Sequence, residues 1–297
     1  WDPDRNTDEF CAALPLYRKH GLHAVTVGLQ GGGSVYTPEV YDNYVASAYE
    51  PDGSLKPAWF DRLGRVLDAA DDAGMVCIVN YFYWKQAERL ESTAVVRGVT
   101  ERVTQWLLDT KHRNIIVDVA NEAASWWTTE AMLPENIPAL IDIVQQTSLN
   151  GRRLPAGCST GGGQQIPTGP WLAAEDVTMP HGNGLEPHEL AAKLRRIKDS
   201  DEYRRRARPL LVNEDSVFVE NMRAAVAEGA SWGFYCQGYG SNYADRMNWK
   251  EHGREDRYAV LSGYQTLPVN WGINTERKRN FFRAVAEVTG TPPGGEM

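Results

Sequence analysis

The chain has 297 residues and a formal net charge of −8 at pH 7. A single α/β barrel often reaches this length, so we expect residues 1–297 to form one domain. The negative charge argues against a nucleic acid or an anionic membrane as a partner, because both attract basic protein surfaces. A neutral substrate fits this composition better.

Seven short runs of apolar and β-branched residues alternate with helical patterns along the chain. This alternation predicts repeated βα units and a parallel sheet. A clear helical pattern covers residues 58–74, where apolar residues recur every three or four positions. The predicted strands are His23–Gln30, Met75–Phe82, Asn114–Asn121, Leu154–Thr160, Asp176–His181, Pro209–Glu214 and Ser231–Gln237.

The strand runs are apolar on both faces, which is typical of parallel strands covered on both sides. We therefore expect an α/β fold of the (β/α)8 TIM barrel type. The segment Thr7–Gly21, in front of the first run, has a helical pattern, so one strand is missing from the count of eight. We expect that first strand upstream of Trp1. An open, doubly wound sheet of seven strands is the alternative.

Polar residues stand at the end of almost every predicted strand, although the strands themselves are apolar. Barrel enzymes carry their chemistry at these carboxyl ends. Glu122 directly follows the third run, and Glu214 ends the sixth. If one strand precedes Trp1, these runs become the fourth and seventh strands, whose ends lie across the barrel from each other. Two carboxylates in one cavity are the machinery of glycoside hydrolysis. The candidate substrate-binding residues are Gln30, Tyr81, Asn121, Trp126, Trp127, His181, Asn183, Tyr235 and Gln237.

Several of these stretches resemble a known superfamily. Glu122 within VANE and Glu214 within LLVNED resemble the paired glutamates of the clan A glycoside hydrolases, which include the family 5 cellulases and mannanases. His181 resembles the active-site histidine of that family. The stretch GASWGFY, residues 229–235, resembles its last strand, which normally offers an aromatic platform. The chain departs from the family at Tyr235, where Trp is common, and at Asn183, where the family often has Tyr.

The resemblance implies a role for each central residue. Glu122 would be the general acid/base, Glu214 the nucleophile of a retaining reaction, and Asn121 a hydrogen-bond donor to the sugar 2-hydroxyl. It implies a carbohydrate substrate and no cofactor or metal. A general acid needs a raised pKa, and we expect the negative charge of Glu214 to raise the pKa of Glu122.

Structural explanations compete with these roles. Glu122 is also placed to begin a helix, where a carboxylate is favoured by the dipole, and Glu214 could pair with an arginine before it. His181 could only orient a loop, and one of the two tryptophans could pack beneath it. Asp215 either caps a helix or supports the site residues from behind, and we favour the cap. We expect the glycine runs after two strands to allow close backbone approach.

Two other functions remain open at this stage. One is a metal-dependent barrel hydrolase or isomerase that uses His181, Glu122, Glu214 and Asp118, although the chain has no HxH or HExxH spacing. The other is a carbohydrate-binding barrel without activity. Because the chain starts at Trp1 rather than Met, a secreted or periplasmic location also stays open, with its signal missing from this chain.

Overall fold

The computed structural model describes residues 2–32, 45–235 and 269–292 of the chain. The strands are β1 Ala24–Gly28, β2 Val76–Phe82, β3 Ile115–Ala120, β4 Ala156–Gly157, β5 Ser159–Thr160, β6 Met179–Pro180, β7 Leu211–Val212 and β8 Ser231–Trp232. The α-helices are α1 Pro3–Lys19, α2 Pro57–Asp72, α3 Thr93–Asp109, α4 Ile137–Gln146, α5 Gly169–Ala174, α6 Pro187–Asp199, α7 Asp201–Arg205, α8 Val219–Ala227 and α9 Glu276–Thr289.

All paired strands run parallel and follow one another in chain order. β1, β2, β3 and β4 form one sheet in that order, and Asn80 of β2 faces Asp118 of β3 in its register. Cys158 alone separates β4 from β5, which pairs with β6. A parallel bridge between Thr178 and Leu210 leads to β7, which pairs with β8. The seven predicted strands and their parallel arrangement are therefore confirmed.

The two faces of the strands bury different sets of side chains. On the outer face of β2, Cys77, Val79 and Tyr81 belong to the main core, beneath the helices. On the other face, Ile78 packs with Met179, and side chains from β1, β3 and β7 contact the same small cluster. Strands so far apart in the sheet order can share one cluster because the sheet curves around it.

The sheet leaves two free edges in the part of the chain that the structure describes, one on β1 and one on β8. A cavity of about 1110 Å³ lies along them, lined by residues of both strands and by apolar side chains of the first and last helices. It extends from Gly21 and Leu22, before β1, to Gly32, beyond its end. Its walls are largely apolar below the carboxyl ends of the strands.

The helices form where the sequence predicts them. Helix α2 begins with Pro57, which suits the first helical position because it lacks the N–H that would be unpaired there. It buries one stripe of side chains against the sheet and ends before Gly74, whose φ of +65° suits glycine. Its buried residues are Phe60, Leu63, Val66, Leu67 and Ala70.

No helix among the described residues has the length and apolar character needed to span a bilayer.

Candidate active site

Parallel strands bring their carboxyl ends to one edge of the sheet, called here the carboxyl edge. Glu122 lies two residues after β3, His181 directly after β6, and Glu214 two residues after β7. One ligand atom from each of these three side chains lies within 4.8 Å of the other two. The fold thus brings together residues separated by up to 92 positions (214 − 122) in the sequence.

His181 lies between the two carboxyl groups. Its Nδ1 is 3.0 Å from Oε1 of Glu122 and 3.9 Å from Oε2 of Glu214. Asn183 donates from Nδ2 to Oε1 of Glu214 over 2.9 Å. The side chain of His181 is fully buried, whereas 30% of the Glu122 side chain and 19% of the Glu214 side chain are exposed. His181 therefore contacts the two carboxyl groups from the protein interior, while both glutamate side chains are partly exposed to solvent.

The backbone of Glu122 adopts a conformation that few residues other than glycine adopt. Its φ is +56°, in the left-handed region, and such a residue costs roughly 1–3 kcal/mol unless its surroundings hold it. The Glu122 N–H donates to Oγ of Ser159 over 3.1 Å, and Trp127 donates from Nε1 to the Glu122 carbonyl over 2.9 Å. These two bonds fix the turn that aims the carboxylate at His181. Glu122 therefore does not begin a helix.

The glycine loop Gly161–Gly163 also contacts Glu122. The Gly162 N–H donates to the Glu122 carboxylate and favours its ionised form. A Cβ on Gly162 would lie 2.9 Å from Cβ and from the carbonyl oxygen of Asn183, so only glycine fits. Gly163 donates from its N–H to the same carbonyl over 2.9 Å. The close approach predicted for this glycine run is therefore confirmed.

The two carboxyl groups differ in their pKa. Burial and the negative charge of Glu122 raise the pKa of Glu214 to about 7, against the charge of His181 and the Asn183 hydrogen bond. For Glu122, burial alone would raise the pKa. The hydrogen bond and charge of His181, together with the Gly162 N–H, outweigh burial and lower it. The predicted rise in the pKa of Glu122 is wrong, because it counted only the repulsion from Glu214.

The pKa of His181 moves in the opposite sense to what its burial requires. Burial lowers the pKa, but the charge of Glu214 and the hydrogen bond to Glu122 outweigh it and raise the pKa. An ionised Glu122 accepts a hydrogen bond from Nδ1–H, so this nitrogen carries a proton in the arrangement described here. The raised pKa values of His181 and Glu214 favour a proton on each of these groups, and the lowered pKa of Glu122 favours its ionised form.

Three further predicted residues lie around the pair. Asn121 and Tyr235 line the cavity together with Glu214. Trp126 is 55% exposed. Its ring lies against Gly161, because a Cβ added to that glycine would be only 3.0 Å from the ring. Asn121, Tyr235 and Trp126 are therefore accessible from the site or beside it.

Three other predicted residues hold the fold. Trp127 is 4% exposed and supports the Glu122 carbonyl, so of the two tryptophans Trp126 is the accessible one. Gln30 is buried, donates to Oγ of Ser47 over 3.0 Å and accepts from the Tyr83 N–H over 3.0 Å. Tyr81 is fully buried, with its hydroxyl 3.0 Å from Oγ1 of Thr104 in α3. Gln237 lies outside the described residues.

Asp215 packs behind the site instead of capping a helix, so the cap prediction is wrong. It is fully buried and accepts from Nε1 of Trp232 over 2.7 Å, and also from Ser216 and Asn221. Helix α8 begins after Phe218, without a side-chain cap. Glu214 contacts Asn183 and His181, and none of the ion pairs among the described residues joins it to an arginine.

The sequence did not reveal every residue of the site. Ser159 and Gly162, which bond Glu122, follow from the fold alone, because nothing in a lone Ser or Gly indicates such a contact. Lys193 was also missed, although a signal was present. It lies on the apolar stripe of α6 with Leu190, Leu194 and Ile197, and a charged residue in such a position needs a buried partner.

The fold agrees with solved structures of glycoside hydrolases. A family 5 enzyme from Prevotella bryantii B14 in complex with a xyloglucan tetradecasaccharide matches with a TM-score of 0.60 and 10% identity, over 94% of this chain and 86% of that chain. The chain has the fold of the family 5 glycoside hydrolases. A broad-specificity endoglucanase from Clostridium longisporum matches with a TM-score of 0.59 and 10% identity, over the same shares of the two chains.

A third structure of this fold, a broad-specificity endoglucanase from an uncultured bacterium, matches with a TM-score of 0.55 and 12% identity, over 94% of this chain and 84% of that chain. No protein-family model matches the sequence, and no curated protein is significantly similar to it. The likeness to family 5 therefore resides in the three-dimensional arrangement.

Proposed function

We propose that this protein is a glycoside hydrolase that cleaves a β-linked oligo- or polysaccharide with Glu122 and Glu214. One observation carries the proposal: two glutamates from different strands meet at the carboxyl edge of a family 5 fold, with oxygen atoms within 4.8 Å of each other. Such a pair can protonate a glycosidic oxygen and attack the anomeric carbon in the same step.

The separation of the carboxyl groups favours a retaining reaction. Retaining glycosidases have carboxyl groups roughly 5–5.5 Å apart, whereas inverting enzymes leave roughly 6.5–9.5 Å for a water molecule between them. One oxygen of Glu122 lies within 4.8 Å of one oxygen of Glu214, which is nearer to the retaining spacing than to the inverting one. This proximity supports a direct attack by Glu214 that forms a covalent glycosyl ester.

The two glutamates take different roles in this reaction. Glu122 is the more exposed of the two and donates its proton to the departing oxygen, while Glu214 attacks the anomeric carbon. A water molecule then attacks that carbon and releases Glu214, and Glu122 takes the proton of the water. The positions after β3 and β7 support this assignment, as does the resemblance to the family. Asn121 donates to the sugar 2-hydroxyl.

The proton has to be on Glu122 when the reaction begins. The pKa of Glu214 is about 7 and the pKa of Glu122 lies below its usual value, so a proton shared by the two groups favours Glu214. The reactive form has the same total charge and differs only in the position of that proton. His181 contacts both carboxyl groups, so the Nδ1 proton can pass to Glu122 while Nδ1 takes the proton of Glu214 in its place.

We propose a (β/α)8 barrel as the architecture of this domain. The eight parallel strand segments in chain order support it, with β4 and β5 separated only by Cys158, as does the interior cluster that distant strands share. For the substrate, we propose a β-glucan or xyloglucan type of chain, with Trp126 as a flat surface for one sugar ring. The support comes from the structural neighbours, which include an endoglucanase and a complex with xyloglucan.

The test is hydrolysis of carboxymethylcellulose, xyloglucan and an aryl β-cellobioside by the full chain. Glu122→Gln and Glu214→Gln serve as matched variants, because each removes one acid and keeps the shape of the side chain. We expect the parent protein to release reducing ends and both variants to lose at least about a thousandfold in rate. Equal activity of parent and variants would overturn the proposal, and so would sugar binding without turnover.

A second candidate function has one observation in its favour. Glu122, His181 and Glu214 form a group whose ligand atoms could hold a metal ion. Asp118 would not join this group from its place in the structure, because it is fully buried and accepts a hydrogen bond from the Ser159 N–H over 2.8 Å. Activity that a chelator abolishes and a divalent cation restores would favour a metal-dependent hydrolase over the glycosidase.

A further inference from the structure

A lysine lies buried behind the candidate active site. Lys193, in α6, is fully inaccessible to solvent and belongs to a helix face that is otherwise apolar. Burial of an ammonium group costs several kcal/mol unless polar groups surround it. Leucine or methionine would fill this position without that cost, so the contacts of the ammonium group need an explanation.

The Nζ of Lys193 bonds two backbone carbonyls. It donates to the carbonyl of Gly163 over 2.8 Å and to the carbonyl of His181 over 2.5 Å. These carbonyls belong to two different loops, one after β5 and one after β6. The Lys193 side chain therefore joins these two loops beyond the ends of their strands, in addition to the backbone hydrogen bond from Gly163 to Asn183.

Both of these loops carry donors to the proposed acid/base. The loop after β5 presents the Gly162 N–H to the Glu122 carboxylate. The loop after β6 presents Nδ1 of His181 to the same carboxylate over 3.0 Å, and then Asn183, which donates to Glu214. Gly162 directly precedes Gly163, whose carbonyl Lys193 bonds, and His181 itself carries the other bonded carbonyl. Asn183 follows His181 by two residues.

We propose that Lys193 is a positioning residue of the active site: it joins the loops after β5 and β6 and so places the donors of both glutamates. It does not touch a substrate. The link to glycoside hydrolysis rests on the proposed function, but the positioning of His181 against Glu122 does not.

The charges around Lys193 agree with this role. Burial, with a smaller effect from the charge of Arg196, lowers the pKa of Lys193 to about 7 against the opposing charges of Glu122 and Asp215. Glu122 and Asp215 are thus the carboxylates close enough to stabilise the ammonium form.

The chain provides a matched control. Lys278, in α9, is also fully buried, and its Nζ also donates to two backbone carbonyls, those of Asn270 and Gly272. These two carbonyls belong to the segment before α9 and not to the loops after β5 and β6. Lys193→Met and Lys278→Met therefore each remove a buried ammonium group that bonds two carbonyls, and only Lys193 bonds the loops that carry the donors to the glutamates.

The experiment combines kinetics with proton NMR of the imidazole groups. A hydrogen bond from Nδ1–H to a carboxylate gives a downfield proton signal, which the spectrum of His181→Gln assigns by its loss. We expect Lys193→Met to shift or broaden that signal and to lower kcat about ten- to a hundredfold, and Lys193→Arg to restore part of both. Lys278→Met should keep the signal and kcat, whatever its loss in Tm.

The proposal is overturned if Lys193→Met folds with a loss in Tm like that of Lys278→Met and retains both the His181 signal and the parental kcat. Failure of the proposed function gives a different result. In that case the parent protein hydrolyses no glycoside, while the NMR comparison still reports whether Lys193 positions His181.

Discussion

Replacement of Asn183 by alanine tests the protonation of the two glutamates. Asn183 donates to Oε1 of Glu214 over 2.9 Å and favours its ionised form. A hydrogen bond to a charged group is worth about 1.5–3 kcal/mol, and 1.36 kcal/mol corresponds to a tenfold change in proton affinity. Without this bond the ionised form of Glu214 loses stabilisation relative to the protonated form, so the pKa of Glu214 rises. Because the site keeps its one proton to a higher pH, the alkaline limb of activity should move up by about one to two pH units.

The assay is kcat/KM against pH, which reports ionisations of the free enzyme. For the parent protein we expect activity to fall as the pH rises through about 7, the pKa of Glu214, because both carboxyl groups are then ionised and no general acid remains. It should also fall at acid pH, where protonation of both groups removes the nucleophile. His188→Ala, on the exposed start of α6, is the control and should leave both limbs in place. An alkaline limb that stays fixed or moves down in Asn183→Ala would refute this reasoning.

Three other variants test separate parts of the account. Gly162→Ala should displace the loop after β5 and lower kcat, whereas Gly64→Ala, which meets no atom within 4 Å, should leave kcat unchanged; equal effects would contradict the steric argument. Trp127→Phe should reduce the free energy of unfolding by about 1–3 kcal/mol, because the carbonyl of Glu122 loses its donor; unchanged denaturant unfolding would contradict this. Glu175 is fully buried, and burial raises its pKa to about 8. The folded protein favours the protonated form of Glu175, so this group destabilises the fold as the pH rises from the unfolded pKa toward 8. Because glutamine does not ionise, Glu175→Gln should raise Tm more at pH 8 than at pH 5. A gain in Tm that does not depend on pH would count against that assignment.

Much of the fold could be predicted because the strands have a simple sequence pattern. Each buried strand is a short apolar run, and each is followed by a polar residue where the strand leaves the core. That is why the sequence alone assigns Glu122, His181 and Glu214 to one edge of the sheet. Strand order then places them together, since parallel strands in chain order bring their carboxyl ends to the same side.

The direction of individual side chains was harder to predict. Tyr81 stands near the end of β2, but successive side chains of a strand point to opposite faces. Ile78 faces the interior cluster, whereas Tyr81 belongs to the outer core and bonds Thr104. Proximity to a strand end therefore did not suffice, and the register of inward and outward positions was needed.

The electrostatics of the site depend on donors that the sequence does not reveal. A rise in the pKa of Glu122 follows from two carboxylates considered alone. The donors that reverse it are His181 and the Gly162 N–H, and both reach Glu122 only through the loops after β5 and β6. The left-handed backbone of Glu122, with φ at +56°, is equally a product of these contacts.

The most direct test of the central claim is to trap the covalent intermediate. An aryl 2-deoxy-2-fluoro-β-glycoside of the sugar that the protein cleaves slows breakdown of the glycosyl ester more than its formation when the leaving group is good. Mass spectrometry of the digested protein then locates the ester. We expect one sugar per chain, attached to Glu214. An adduct on Glu122, or hydrolysis with inversion of the anomeric centre and no adduct, would contradict it.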